Sequence, residues 1–478
     1  MMNLLLQAVQ AVNSCLSDYV LTVLLVGTGL FFTIRTRLVQ RYCLGKGMRQ
    51  ALGDFSLHGR QNGHGLNPFQ ALCAAVAAQV GTGNIVGASG AILTGGPGAI
   101  FWMWLIAFFG MATIYAEAIL AQVTRIQDPS GELHGGPVYY IKRAFPGLLG
   151  TALAYFFAIA CVLSLGFIGG MVQANSISET CHNAFGLPTP LVGFLVALLS
   201  FLIFTGGISR ISRVTEKLVP LMALLYLLGG LLILVLRWKT LPATFASIFQ
   251  YAFNPEALIG GGMGYALKTA ISQGVKRGLF SNEAGMGSTP HAHAQAIVDK
   301  PHDQGVVAMC GVFVDTFVVL TMTALVVIST LYCGDGPLAG ATGETYSQLL
   351  ASQGLTKTTL VQTAFSHALA GENLGEAFVA ICLFFFAFST ILGWNFFGKI
   401  NFHYLFGKKA LPVYYILAAG FIFLGSIVQN DLAWELQDMF NQLMVLPNVM
   451  ALLALSSLVS KAKREASPSD IIDHPYSK

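Results

Sequence analysis

The stretch Leu66–Thr94 is apolar enough to cross a bilayer, yet its middle reads Gln79-Val80-Gly81-Thr82-Gly83-Asn84. A spanning helix must satisfy its own backbone, because hydrocarbon offers no hydrogen bonds. Two glycines, a Thr and an Asn weaken the helix where weakness is expensive. Such a break is tolerated only where it lines a cavity or is buried in protein. The freed N–H groups and a half-helix N-terminus can hold an anion, and the freed carbonyls can hold a cation. Secondary transporters build substrate sites this way. A kinked helix with a glycine packing face is the blander alternative. It needs only the glycines, whereas polar side chains flank them here.

Composition agrees with a membrane setting. Of 478 residues, 55% are apolar and only 10% charged, against about 25% charged in soluble proteins. The net charge of +4 is spread over short loops, which gives no footprint for nucleic acid. The first apolar run, Tyr19–Ile34, lacks the basic flank and cleavage site of a signal peptide. Eight cysteines contain no C-x-x-C pair, so no metal beyond a transported ion is expected. Cys181 and Cys333 fall in expected outer loops; free thiols are the preferred reading there, with a disulfide between them as the alternative.

At about 20 apolar residues per helix, eleven candidate spans emerge: 18–34, 66–94, 98–124, 149–174, 188–206, 215–236, 258–282, 305–332, 375–404, 411–429 and 434–460. The seventh is the most polar, with Lys268, Thr269, Ser272, Gln273, Lys276 and Arg277; it belongs in the bundle interior. Basic residues mark cytoplasmic loops. Arg35, Arg37, Arg41, Lys46, Arg49 and Arg60 crowd loop 35–65, and Arg125, Lys142, Arg143, Arg210, Arg213, Lys300, Lys408 and Lys409 follow on the same side. This places the N-terminus outside and the tail 461–478 in the cytoplasm. The flexible run His58–Gly65 precedes the broken span. A short amphipathic helix is expected near Thr358–Leu369. The stretch His134–Tyr140 should lie at the inner interface.

A faint internal echo is present. Asn67-Pro68 opens the second span and Asn254-Pro255 precedes the seventh. Gln-Gly-rich centres follow, Gln79 to Gly83 and Gln273 to Gly278, in spans of opposite direction. The expectation is an all-α polytopic membrane protein of about eleven transmembrane helices, in a single domain over 1–470. An extra helix at 18–34 would precede an inverted five-plus-five repeat with discontinuous helices, 66–236 and 254–460.

Several runs resemble one family. They are Asn67-Pro68-Phe69-Gln70-Ala71-Leu72, Val80-Gly81-Thr82-Gly83-Asn84-Ile85, Gly95-Gly96-Pro97-Gly98-Ala99-Ile100-Phe101-Trp102-Met103-Trp104, Gly278–Ser288 and Phe388-Ser389-Thr390-Ile391-Leu392-Gly393-Trp394. Together they look like the alanine or glycine:cation symporter family, over residues 20 to 455. The resemblance implies a leucine-transporter-type fold and sodium-coupled import of alanine, glycine or glutamine across the inner (cytoplasmic) membrane. A monomer would suffice for transport, and no enzyme activity is implied.

An amino-acid carboxylate suits the backbone N–H groups around Gly81, Thr82, Gly83 and Asn84, where glycine permits close approach. By resemblance, Gln173 and Thr390 are candidates for the substrate ammonium. The alternative reading has Gln173 bonding a neighbouring backbone and Thr390 bonding its own helix four residues back. The related fold implies a sodium site joining carbonyls of the broken helix, around Gln79 and Gly83, to the adjacent hydroxyls Ser389 and Thr390. Thr390 is thus shared between the two ligands. Trp394, one turn beyond, would wall the pocket, or else anchor the inner interface. Gln273 and Phe280 are further wall candidates; many relatives carry a large aromatic at the Gln273 position.

Acids in spans are expensive. Glu117 and Asp315 are expected to pair with Lys268, Lys276 or Arg277; as proton carriers they would define the rival reading, a proton-coupled amino-acid carrier. Glu283 is expected near the inner face as a gate or cap. His291 and His293 are expected in a solvated inner loop. No phosphate-binding loop, H-E-x-x-H or G-x-S-x-G is present, so neither nucleotide drive nor a hydrolase has support. A channel would want a repeated pore motif, and one broken helix per half suits alternating access better.

Overall fold

Asn67 and Pro68 start the interrupted helix through a capping box. The Asn67 side chain accepts from the Gln70 N–H at 2.7 Å, and the Gln70 side chain accepts from the Asn67 N–H at 3.2 Å. Pro68 occupies the first turn, where its missing N–H costs nothing. The α-helix Pro68–Gln79 ends at Val80, whose backbone is extended. A π-helical turn, Gly83–Gly87, then leads into Ala88–Gly95, and the two halves are bent by 47°. The computed structural model describes residues 2–53, 65–128, 131–253, 263–369, 372–428 and 430–466.

Each of the eleven candidate spans is helical among the described residues. Six helices are long and apolar enough to cross a membrane singly: Ala99–Thr124, Leu148–Phe185, Gly207–Leu236, Pro301–Tyr332, Asn373–Phe406 and Lys408–Gly425. Three more qualify as bent pairs: Thr22–Arg35 with Val39–Ala51, the interrupted helix above, and Asp431–Ala454 with Ser456–Arg464. Thr189–Phe204 is apolar but shorter, and Met263–Asn282 is the polar one. The amphipathic helix is present at Thr359–Leu369.

Several boundaries depart from expectation. Loop 35–65 contains the helix Val39–Gly53, set at 81° to Thr22–Arg35. The turn is made by Arg37 and Leu38 at φ 49 and 55. The fourth span runs on to Phe185, so Cys181 is buried in a helix rather than placed in a loop. The sixth begins at Gly207 and includes Arg210 and Arg213. Among the described residues all eight cysteines are free. The run from His58 to His64 and the dipeptide Asn254-Pro255 lie outside the described residues.

The second discontinuity is also displaced. Met263–Asn282 is unbroken through Gln273–Gly278. Its glycines serve packing: a Cβ at Gly274 would strike Trp102 and the Ala99 carbonyl, and one at Gly278 would touch Ile106. The helix breaks instead at Glu283–Thr289, where Glu283, Gly285 and Gly287 have φ of 58, 88 and 83. The chain resumes as the short helix Pro290–His293.

The two discontinuous segments are tied at one end. The Leu66 N–H donates to the Gln295 carbonyl, and the Ile297 N–H to the Leu66 carbonyl, both at 2.9 Å. The chain therefore enters the first segment beside the point where it leaves the second, so the two run in opposite directions and their breaks meet. Glu372–Phe406 packs against the first half-helix, and Ala99–Thr124 against Met263–Asn282. This packing sinks both breaks into the core.

Candidate functional site

The breaks are joined by side chains and close packing. Gln79 Nε2 donates to the Asn282 carbonyl at 2.7 Å, where the second helix has just ended. Gly83 lies against Ser281 and Phe280; a Cβ there would sit 3.0 Å from Ser281 Cα. Gly81, Thr82, Gly83 and Asn84 are all buried. Their amides are partly engaged. The Gly81 N–H donates to Asn84 Oδ1 at 2.9 Å, and the Thr82 N–H to Gln173 Oε1 at 3.3 Å. An anion at this break would have to displace Gln173 from Thr82. Thr82 Oγ1, Gln173 Nε2 and Gln79 Oε1 are buried and have no hydrogen-bond partner, so the break keeps polar capacity in reserve.

Two hydroxyls of the Glu372–Phe406 helix converge on the end of the first half-helix. Thr390 Oγ1 lies 3.0 Å from the Ala77 carbonyl and 3.4 Å from that of Val80. Ser389 Oγ reaches Ala77 at 3.4 Å. Both also bond the Phe386 carbonyl, at 3.1 and 2.8 Å. The Thr390 back-bond foreseen from the sequence is therefore made together with the contact to the break. The carbonyls involved belong to Ala77 and Val80. Gln79 instead turns its side chain toward Asn282, and Gly83 packs on the opposite helix.

Trp394 is buried beside the second break. Its indole N–H donates to Glu283 Oε1, and Phe280 meets it edge-on at 5.8 Å between ring centres. On its other side Phe280 stacks at a tilt on Trp434, 5.1 Å away. Lys357 Nζ lies 4.5 Å and the Arg277 guanidinium 5.4 Å from the Trp434 centroid. Gln273 is not brought into this group. It packs on Gly95 at the far end of the second half-helix, two turns from Phe280 and so roughly 10 Å along the axis.

The buried acids differ from expectation. Glu117 accepts from the Gly285 and Gly287 N–H groups at 3.2 and 3.0 Å and from Asn448 at 2.6 Å. It thereby caps the second break. Asp315, in the π-helical turn Phe313–Leu320, accepts from Asn84 at 2.6 Å, Ser281 at 2.9 Å and Thr316 at 2.8 Å. Neither has a basic partner among the described residues. Lys276 and Arg277 pair with Asp438, at 2.9 and 3.3 Å. Glu283 is fully buried at the centre, bonded to Trp394 and Ser288, rather than near the inner face. His291 and His293 are buried as well. His291 meets the Ser288 carbonyl and Asn401, and His293 meets Gln304.

The sequence reading missed Glu283, Asn282 and Trp434 as neighbours of the break. The usable signal was the run Ser281-Asn282-Glu283-Ala284-Gly285-Met286-Gly287, whose spaced glycines mark the displaced discontinuity. The geometry allows two kinds of ligand beside each other. Oxygens at Ala77, Val80, Ser389 and Thr390 suit a hard cation, and the polar break under Trp394 suits a small zwitterion.

The family model described as the sodium:alanine symporter family matches residues 2–467. The chain is 41% identical to the sodium/alanine symporter AgcS of Methanococcus maripaludis, over 94% of this chain and 95% of that one. It is 36% identical to the probable sodium/glutamine symporter GlnT of Bacillus subtilis, over 97% and 91%. Among solved structures, a manganese transporter of Eremococcus coleocola superimposes with a TM-score of 0.52 at 15% identity, over 84% of this chain and 81% of that one. The last likeness concerns the fold alone, which is of the leucine-transporter type with discontinuous helices.

Proposed function

The chain belongs to the sodium:alanine symporter family of multi-pass membrane transporters, and from that premise we propose that it imports small neutral amino acids with sodium. Alanine and glycine are the first candidates, and glutamine the third. The observation that carries this reading is the convergence of Ser389 and Thr390 on the Ala77 and Val80 carbonyls. Once the two hydroxyl protons rotate away, a sodium ion between these groups would meet four hard oxygens. It would draw the Glu372–Phe406 helix to the break and so favour substrate binding. The coupling is reciprocal, because each ligand stabilises the arrangement the other needs.

In this reading the substrate carboxylate takes the Thr82 and Gly83 N–H groups, Gln173 moving from Thr82 toward the ammonium. Trp394 and Phe280 enclose the side chain. Glu283, held by Trp394 and Ser288, sets the polarity beside the ammonium. The N-terminus lies outside, the tail lies in the cytoplasm, and one copy suffices for transport.

One observation favours a second reading, in which a proton replaces or joins sodium. Asp315 is buried and has no basic partner among the described residues, yet it holds Asn84 at the break. A proton arriving there would loosen that contact. Uptake of labelled alanine into vesicles distinguishes the two. A sodium gradient alone should drive accumulation and a proton gradient alone should not. Accumulation under the proton gradient alone would overturn the sodium reading and implicate Asp315.

A further inference from the structure

The Gly207–Leu236 helix carries a stripe unrelated to the transport site. Arg210, Arg213 and Lys217 recur at helical spacing and are exposed. Leu221, Leu224, Leu228 and Leu231 continue the same face and are 53 to 58% exposed. One face thus passes from three cations to a leucine ridge within a single helix. At the junction Arg210, Arg213, Val214, Lys217, Leu218 and Leu221 border a shallow, open surface pocket along this one helix. Its wall has the same order, with charge at one end and hydrocarbon at the other.

None of the three cations pairs with a carboxylate among the described residues. Arg210 folds back over Gly206 and donates to the Leu202 carbonyl at 2.6 Å. Arg213 donates only through Nε, to the Ser209 carbonyl at 3.0 Å, leaving the rest of its fork available. The neighbouring acid, Glu216, is used elsewhere and accepts from Gln70 at 3.1 Å. Cations clustered on one exposed helix face without carboxylate partners attract anions. Arginine in particular presents a fork that matches phosphate.

We infer that this basic surface pocket binds the phosphate headgroup of an anionic phospholipid, with the acyl chains lying along Leu221, Leu224 and Leu228. The leucine ridge decides for a lipid over free phosphate, because an inorganic ion has no use for the apolar wall. Basic pockets at the membrane–water boundary are the usual seats of such headgroups. The site also has a route to the transport helices. Glu216 lies between Arg213 and Lys217 and holds Gln70, which belongs to the capping box that starts the first half-helix. A bound lipid would steady this end of the interrupted helix.

The test uses the full chain purified in detergent, titrated with phosphatidylglycerol and with phosphatidylcholine of the same acyl length. Retained lipid is read by native mass spectrometry. Phosphatidylglycerol should be retained preferentially. The double variant Arg213→Gln/Lys217→Gln should lower its affinity roughly thirtyfold, about fivefold for each basic side chain lost near the membrane surface. The charge-preserving pair Arg213→Lys/Lys217→Arg should keep most of it. Equal retention of the two lipids would overturn the proposal, as would an unchanged affinity in the Gln pair. Loss of the lipid in the charge-preserving pair would also overturn it, since charge would then not be what holds the headgroup. Inorganic phosphate is titrated separately; if it displaces phosphatidylglycerol at equal concentration, the site is one for free phosphate and not for lipid.

Discussion

The Thr390 hydroxyl occupies the space that a side chain on Gly81 would need: a Cβ built there would collide with Thr390 Oγ1. The same oxygen reaches the Ala77 carbonyl at 3.0 Å. Gly81 is thus required by the neighbouring helix as much as by any ligand, and the break and the hydroxyl pair form one packing unit.

Gly81→Ala should therefore destabilise the protein by about 1–3 kcal/mol, as overpacking of a close-packed core does. Adding Thr390→Ala should recover most of that stability without restoring the sodium dependence of alanine binding. Thermal unfolding in detergent and binding titrations read the two effects separately. Full stability of the single variant would place the Thr390 hydroxyl elsewhere.

Ser389→Ala should raise the sodium concentration for half-maximal uptake, on the order of tenfold for one lost bond to a charged group. Saturating sodium should restore much of the apparent alanine affinity. Thr390→Ala should be worse and only partly rescued, because Thr390 touches both Ala77 and Val80. A sodium titration of uptake checks this. An unchanged titration in a well-folded Ser389→Ala protein would remove the residue from the site.

A Cβ on Gly98 would collide with the Tyr251 carbonyl group and the Ala252 nitrogen. Both are backbone and cannot yield. Gly98→Ala should cost about 2 kcal/mol or more. Gly264→Ala, exposed on a helix with nothing within 4 Å of the new Cβ, should be neutral or stabilising by up to about 1 kcal/mol. Thermal midpoints of the two variants should move in opposite directions or differ clearly in size.

Lys357, in the turn between Gly343–Ser352 and Thr359–Leu369, has its ammonium pushed down to about 8, chiefly by burial and further by Arg277. An unfolded lysine holds its proton to about pH 10.4. Between these values the unfolded chain binds more protons than the folded one, so stability rises with pH there, and the full cost of burying the charge is felt below about 8. Lys357→Met should lack this rise. The difference in thermal midpoint between parent and variant should shift in the parent's favour as pH climbs through that window. A constant difference would count against a partly buried, charged Lys357.

The loop charges predict a cytoplasmic tail after Lys461. A reporter fused at the C-terminus should be active only in its cytoplasmic form. Activity of a periplasmic reporter would overturn the orientation.

The helices themselves were legible because each must carry about 20 apolar residues, a signal local to its own segment. The first break was legible for a similar reason, since glycines with polar neighbours inside an apolar run have few other uses. The second break was misplaced. Gly274 and Gly278 look like a weak point but pack against Ala99–Thr124, whereas Glu283 adopts a positive φ that its residue type does not announce. The acids were misassigned similarly. The cations of the seventh span are the obvious partners for an acid buried in the bundle, yet Glu117 is satisfied by the amides of Gly285 and Gly287.

The sequence by itself determined the class of protein, the helical nature of the apolar runs, the first discontinuity and the family. Each depends on composition and on motifs contained within one stretch of chain. Tertiary structure decided which oxygens face Ser389 and Thr390, that Gln273 stands apart from the break, and that Asp438 rather than Glu117 or Asp315 receives Lys276 and Arg277. These are matters of which faces of distant helices meet. Rotating a helix by one residue changes the facing side chain by 100°, and no local pattern records the angle at which a neighbour has packed.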